Sequence, residues 1–217
     1  SALISTGNTR VLCSVSLDRR TPPWMKDGDG GWVTAEYAMM PGSSNSRISR
    51  RLPNSRGTEI QRLIGRSLRS VVDLKALEGV TLTVDCDVID ADGGTRTASI
   101  TGAWVALFSA CQRLLADGTL AEDPIKGQVA AVSVGVVDDK VLLDLDYPED
   151  SSAQVDFNVV GSGHGGLVEV QGTAGGVPFS RGQMDAMLDL SLAGISQLLE
   201  QQRAALGLSL TEPVGSL

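Results

Sequence analysis

Residues 80–88, VTLTVDCDV, alternate apolar and polar side chains without a break. Successive side chains of a strand point to opposite faces, so Val80, Leu82, Val84, Cys86 and Val88 form one buried face of a half-buried β-strand. The next residues, DADGG over 90–94, are turn formers. From 95 to 116, Ile100, Ala103, Trp104, Leu107, Ala110, Cys111, Leu114 and Leu115 recur at helical intervals, and Gly118 follows as a stop. Strand, glycine turn and helix therefore run on without a linker, and the strand end must hand the chain directly to a helix N-terminus.

The rest of the chain builds outward from this unit. Residues 9–16 alternate as a strand with Val11, Cys13 and Val15 on one face, and a long turn-rich loop follows with Pro22, Pro23, Gly28, Gly30 and Gly31. Residues 32–37 form a short strand, and 41–55, PGSSNSRISRRLPNS, has no period and reads as a flexible basic loop. Ile60, Leu63, Ile64, Leu68, Val71, Val72 and Ala76 predict a helix over 58–77, with Arg62, Arg66 and Arg69 on another face. Residues 129–137 and 141–147 flank an Asp138-Asp139 turn as a hairpin. Strands over 154–160 and 167–172 flank GSGHGG, and a last helix covers 180–205. This order predicts an α+β two-layer fold, helices packed on mixed sheets, in one compact domain over 1–210 with a disordered tail at 211–217.

Composition narrows the class. At 217 residues and 42% hydrophobic content the chain suits a globular domain, and no stretch nears the roughly 18 apolar residues of a membrane span. Residues 1–7 carry neither a secretion nor an import pattern, so a cytoplasmic location is expected. Cys13, Cys86 and Cys111 lack metal or redox spacing and are expected as buried reduced thiols.

The net charge of −8 argues against a nucleic-acid partner, yet the charge is unevenly spread. Seven arginines (47, 50, 51, 56, 62, 66 and 69) face one acid, Glu59, over 47–69, a local charge of +6. Such a reversal can focus an anionic substrate on one face; on charge alone, a solvated helix face accounts for it equally well.

DGGTRTAS over 92–99 carries the strongest chemical signal. Glycines at a strand end let backbone approach a ligand, a helix start offers free N–H groups and a positive dipole end, and Arg96 can meet two phosphate oxygens. Arg56 is a candidate second clamp. Asp144, Asp146, Glu149, Asp150 and Asp156 gather on what read as two adjacent strands and the turn between them, suited to a hard divalent ion. The one histidine, His164, sits in a glycine-rich turn and reads as a turn residue rather than a catalyst, which argues against a hydrolytic triad. P-loop and Rossmann glycine patterns are missing.

Several blocks together resemble one family. GWVTAEY over 31–37, EIQRLIGRSLR over 59–69, DGGTRTASITGA over 92–103, VAAVSVGVV over 129–137, and DFNVV with EVQGTA near Asp156 and Gln171 are similar to ribonuclease PH, a family of phosphorolytic tRNA nucleotidyltransferases. The resemblance runs from about residue 1 to 206 in one order. It departs at Gly42 and Asn45, where the family commonly has Arg and His, at Gly57, where Thr is usual, and in a shorter basic loop. The family's usual first strand lies before the segment with which this sequence begins.

The resemblance implies a ribosomal protein S5 domain 2-like fold and a homohexameric ring built from dimers. It implies a phosphate-dependent 3′ to 5′ exoribonuclease that trims tRNA precursors and releases nucleoside diphosphates. Inorganic phosphate as co-substrate would lie on Arg56, Gly94, Thr95 and Arg96, while Asp150 and Asp156 would be catalytic and hold Mg²⁺ or a similar ion. Arg47, Arg50 and Arg51 would hold the RNA. Whether Asp150 and Asp156 serve the metal or move a proton stays open at this level. A catalytically silent RNA-binding ring subunit would be expected to lack part of this set, and a small-molecule kinase would need a triphosphate loop.

Overall fold

The computed structural model describes residues 1–26, 28, 30–50, 55–209 and 214. Arg51 lies outside them, as does the expected tail apart from Val214. Two four-stranded sheets carry the fold. The first, in order β1-β2-β4-β3, comprises β1 (Ala2–Thr6), β2 (Thr9–Asp18), β3 (Trp32–Met39) and β4 (Thr81–Asp90). It is mixed: β3 runs parallel to β4 and the other pairs are antiparallel. The second, in order β6-β5-β7-β8, comprises β5 (Val129–Val137), β6 (Lys140–Leu143), β7 (Val155–Ser162) and β8 (Leu167–Ala174), and it is antiparallel throughout. Among the described residues the helices are α1 (Ser55–Arg69), α2 (Thr95–Ala116), α3 (Tyr147–Ser152) and α4 (Arg181–Leu206). The α+β architecture is the one the element order predicts.

The perfect alternation in β4 does what it must: Leu82, Val84, Cys86 and Val88 are all buried. The chain then passes into α2, the axis of the molecule. This helix packs on β1, β2 and β4 of one sheet and on β5 of the other, with α1 and α4 beside it. Contact on so many sides explains why its apolar residues do not confine themselves to a stripe; Ile100, Ala103, Trp104, Ala106, Leu107 and Cys111 are all fully buried. The indole N–H of Trp104 donates to the Gly127 carbonyl at 2.9 Å, so the largest buried side chain keeps its polar atom paired. Cys13, Cys86 and Cys111 are free and buried, and burial, with Asp123 adding to it, pushes the Cys111 thiol up to about 12.

Three elements depart from the sequence expectation. Strand β1 went unread; it joins β2 through a tight turn at Gly7-Asn8, pairing Thr6 with Thr9. Helix α1 stops at Arg69, eight residues before the predicted end at 77. The β-branched pair Val71-Val72 is drawn instead onto the segment 124–126: Lys126 N–H donates to Val71 O, Asp73 N–H to Pro124 O, and Val72 bridges Ile125. Tertiary pairing outweighs the weak helix preference of two adjacent valines.

The third departure concerns the acids. Strand β6 ends at Leu143, and the stretch read as strand and turn is the short helix α3. Asp146 is its N-cap, accepting from Glu149 N–H, while the Glu149 side chain accepts from Asp146 N–H, and Pro148 sits in the first turn. This capping box was present in the sequence as D-Y-P-E. Only Asp156 of the predicted cluster stands on a strand, β7, and Asp150 is helical.

Helix α4 closes the second sheet with Met187 and Ile195 buried against Val132, Val134 and Phe157. Near its end Gln202, 2% exposed, donates to Thr101 O of α2 at 3.0 Å and Val129 O of β5 at 2.9 Å, and accepts from Gln128 at 3.2 Å. One side chain thus ties α4 to α2 and to β5. Replacing Gln202 by Leu keeps the volume and removes these bonds, so stability in urea unfolding should fall by about 2 kcal/mol; a loss under about 0.5 kcal/mol would deny Gln202 that role.

Candidate active site

Six of the residues singled out in the sequence line one cleft of about 500 Å³: Arg56, Gly94, Thr95, Arg96, Asp150 and Asp156. They come from four elements, namely the first turn of α1, the loop and start of α2, helix α3 and strand β7. The sequence could name these residues; only the packing brings them together.

The α2 end is arranged for an anion. Gly94 is the N-cap, left-handed at φ 57, and no side chain caps the helix, so the N–H groups of the first turn have no partner within it. Thr97 Oγ donates to Gly94 O at 2.9 Å, and Ser99 Oγ donates to Thr95 O at 2.7 Å, which stiffens the turn. Thr95 Oγ shares a 2.8 Å hydrogen bond with the buried Tyr37 hydroxyl. Burial holds the Tyr37 phenol above its usual value, the Thr95 bond and the charges of Arg56 and Arg96 opposing. It is neutral near neutral pH.

The basic face of α1 divides. Arg66 forks onto Glu169 of β8 at 2.9 to 3.1 Å, and Arg69 lies 4.3 Å over the Trp32 ring and donates to Val33 O at 2.8 Å. These two arginines hold the fold together. Arg56 lines the cleft, and Arg96 is steadied at its rim by Glu59 Oε1 and Gln171 Oε1, both at 3.3 Å. Glu59, the lone acid of the arginine-rich stretch, therefore orients a guanidinium.

Asp92 and Gly93 couple the α2 end to the acids. A Cβ on Gly93 (φ 83) would overlap the Leu145 carbonyl oxygen, so the glycine turn presses directly on the segment between β6 and α3. Asp92 accepts from Tyr147 N–H at 3.2 Å, at the first residue of α3, and from Asn8 Nδ2 at 2.9 Å. Asp150 is carried on that short helix. Asp156 accepts from Asn158 Nδ2 at 3.0 Å.

Arg47 and Arg50 are exposed on the segment after β3 and do not themselves line the cleft. Their neighbours Ser44, Asn45, Ser46 and Ile48 form one wall. That segment, expected to be flexible, is anchored by backbone bonds: Ala91 N–H donates to Ser43 O at 2.7 Å and Ile48 N–H to Pro41 O at 2.9 Å. Sequence reading missed Tyr37, Asn158, Ser133 and Tyr147 as cleft neighbours, because their roles arise from elements distant in the chain. His164 is a turn residue, 3.3 Å from Lys126 O.

A cleft in which an uncapped helix end and two guanidinium groups face two carboxylates suits one class of protein, an enzyme acting on phosphate esters. Comparison with known proteins names the class further. The model of the 3′ exoribonuclease family matches in two parts, domain 1 over residues 1–111 and domain 2 over residues 127–194. Ribonuclease PH of Parasynechococcus marenigrum (strain WH8102) is 56% identical over 208 residues, covering 95% of this chain and 84% of that protein. Ribonuclease PH of Synechococcus sp. (strain CC9605) is 56% identical over 207 residues, covering 94% and 84%.

In fold the chain is similar to a chain of the Archaeoglobus fulgidus exosome with RNA bound to the active site (TM-score 0.76, 24% identity, 92% of this chain and 81% of that one). It is also similar to rice (Oryza sativa) Rrp46 (TM-score 0.73, 19% identity, 94% and 86%). The chain belongs to the 3′ exoribonuclease family, and it is a phosphorolytic 3′ exoribonuclease. Among the described residues no helix is long and apolar enough to cross a membrane.

Burial, and then the charge of Asp156, lift the Asp150 carboxyl above the ordinary range, with Arg56 and Arg96 pulling the other way. The native state thus keeps this proton to higher pH than the unfolded chain does. As pH rises from the usual carboxylate value through the raised native one, the unfolded chain gives up this proton while the native state still holds it, and stability falls. Asp150→Asn should therefore melt above the parent near neutral pH, and the gap should close below about pH 4. A gap independent of pH in thermal melts would contradict the shift.

Proposed function

We propose that inorganic phosphate binds at the α2 N-terminus between Arg96, Thr95, Gly94 and Arg56, and attacks the last phosphodiester of an RNA 3′ end. The observation that carries this reading is the gathering of these residues with Asp150 and Asp156 in one cleft. An oxygen of the attacking phosphate forms a bond to the phosphorus of the terminal nucleotide. The bond from that phosphorus to the 3′ oxygen of the preceding nucleotide breaks. A nucleoside diphosphate leaves, and the shortened RNA takes up a proton on its new 3′ hydroxyl. The reverse reaction uses the same site by microscopic reversibility.

Because phosphate itself is the nucleophile, the protein has chiefly to position it and to neutralise charge as the transition state forms. The helix end and guanidinium groups do the first at fixed positions, Arg96 through its contacts with Glu59 and Gln171. Asp150 has the raised affinity for a proton that a donor to the departing 3′ oxygen requires, an alternative to its holding a metal ion together with Asp156. Asn158 holds Asp156 in place beside it.

The pair also fits Mg²⁺ or a similar ion. Mg²⁺ takes one or two carboxylates and fills its remaining positions with water and phosphate oxygens. Two carboxyls that repel one another in a half-buried cleft match that demand, and among the described residues no group of three or more acids, histidines or cysteines is set to enclose an ion. Asp150 and Asp156 would hold it, and when bound it would supply charge stabilisation to the departing oxygen.

The substrate reading is precursor tRNA, with Arg47, Arg50 and Arg51 contacting the RNA body, and the assembly reading is a homohexamer, a trimer of dimers. Resemblance to ribonuclease PH supports both. A ring would set the basic segments around a shared opening, which reconciles RNA binding with a net charge of −8.

Incubating the protein with a 3′-extended tRNA and Mg²⁺ should release nucleoside diphosphates only when inorganic phosphate is present; monophosphates would indicate hydrolysis and sink the proposal. Arg96→Ala should raise the KM for phosphate by more than about tenfold through loss of a charge-assisted contact, and Asp156→Asn should abolish turnover with RNA still bound. An unchanged phosphate KM would remove Arg96 from the clamp. Light scattering should give six chains per particle.

A further inference from the structure

Three buried side-chain hydroxyls have no hydrogen-bond partner among the described residues: Ser43, Ser133 and Ser191. A buried hydroxyl left unpaired costs free energy, so each asks for a reason. Of the three, Ser133 is the one that lines the cleft with Arg56, Arg96, Asp150 and Asp156, and it is only 4% exposed.

Its position follows from the alternation of β5. Val132, Val134 and Val136 join the cluster under α4, whereas Ala131 on the opposite face meets Thr101 of α2 through its N–H and carbonyl. Ser133 shares that second face, toward the start of α2. Its Oγ stands 3.5 Å from the point a Cβ on Gly94 would occupy. Its carbonyl is already paired with Asp144 N–H at 2.8 Å, so the hydroxyl alone is left over. Asp144 also approaches Gly94, but its side opens on a separate depression with Thr97, Thr101 and Leu143. The group presented to the cleft beside the helix end is thus a neutral donor.

We propose that Ser133 Oγ donates a hydrogen bond to an oxygen of the inorganic phosphate co-substrate, completing from β5 the clamp built by Gly94, Thr95 and Arg96. This rests on the reading of that helix end as the phosphate site. A hydroxyl turns to suit its acceptor and adds no charge, so it can bind phosphate without strengthening the hold on the RNA backbone elsewhere. Cross-strand from it, Asn158 steadies Asp156, so adjacent residues on β5 and β7 serve the nucleophile and the acid pair.

Ser133→Ala separates this from a structural role. The variant should melt at or above the parent temperature without phosphate, because an unpaired buried group has been removed. Its phosphate KM should rise about tenfold, the loss of one hydrogen bond to a charged acceptor, with the KM for RNA unmoved. Inorganic phosphate should raise its melting temperature less than it raises the parent's. An unchanged phosphate KM and melting shift would overturn the proposal, as would a lower melting temperature combined with an intact phosphate response. Arg96→Ala run in parallel tells the two failures apart. If Arg96→Ala raises the phosphate KM and Ser133→Ala does not, Ser133 alone is misassigned; if neither does, the phosphate site itself is.

Discussion

The contact on which the site depends is the close approach of Gly93 to the Leu145 carbonyl. A residue with a Cβ could not stand there, and without that approach the turn before α2 would not meet the segment between β6 and α3. Asp92 seals the junction by accepting from the first N–H of α3 and from Asn8 in the β1-β2 turn. Thr9 adds to it, donating to Gly93 O at 2.6 Å and accepting from Asp92 N–H at 2.8 Å. Through one four-residue turn, the first sheet, the anion-facing end of α2 and the acid-bearing helix share a frame.

Charge in the cleft is arranged on that frame rather than accumulated. An acidic chain cannot draw in RNA by its net charge, and the arginines of 47–69 do not act as one patch. Arg66 and Arg69 are committed to Glu169 and Trp32, so their charge supports packing between α1 and the two sheets. Arg56 and Arg96 face two carboxyls across the cleft, and their opposing fields are visible in Asp150, which is lifted by burial and Asp156 and drawn down by the two guanidinium groups. A site balanced in this way favours a ligand that brings its own negative charge to one wall and a departing group to the other.

How much of this could be read from residues alone differs from element to element. Strand β4 and helix α2 were legible because their periods of two and of about 3.6 are local properties, and burial then followed the pattern. The phosphate-site nomination of Gly94 and Arg96 needed only that the helix begin where the glycines end. Helix α3 was misread although its capping box was in plain view, because a six-residue helix has too few turns to show a period. The end of α1 could not be found locally at all, since what stops it is a bridge from Val72 to Ile125, over fifty residues away.

By itself the sequence determined the class of fold, the residue types for phosphate chemistry and the family to which the chain belongs, since periodicity and motif are written in neighbouring positions. Tertiary structure decided which arginines are free to meet a substrate, that Asp150 and Asp156 converge from a helix and a strand, and that Ser133 and Asn158 border the same cleft. Those outcomes depend on pairings between segments far apart in the chain, where burial and hydrogen-bond satisfaction are settled by packing and leave no local pattern to read.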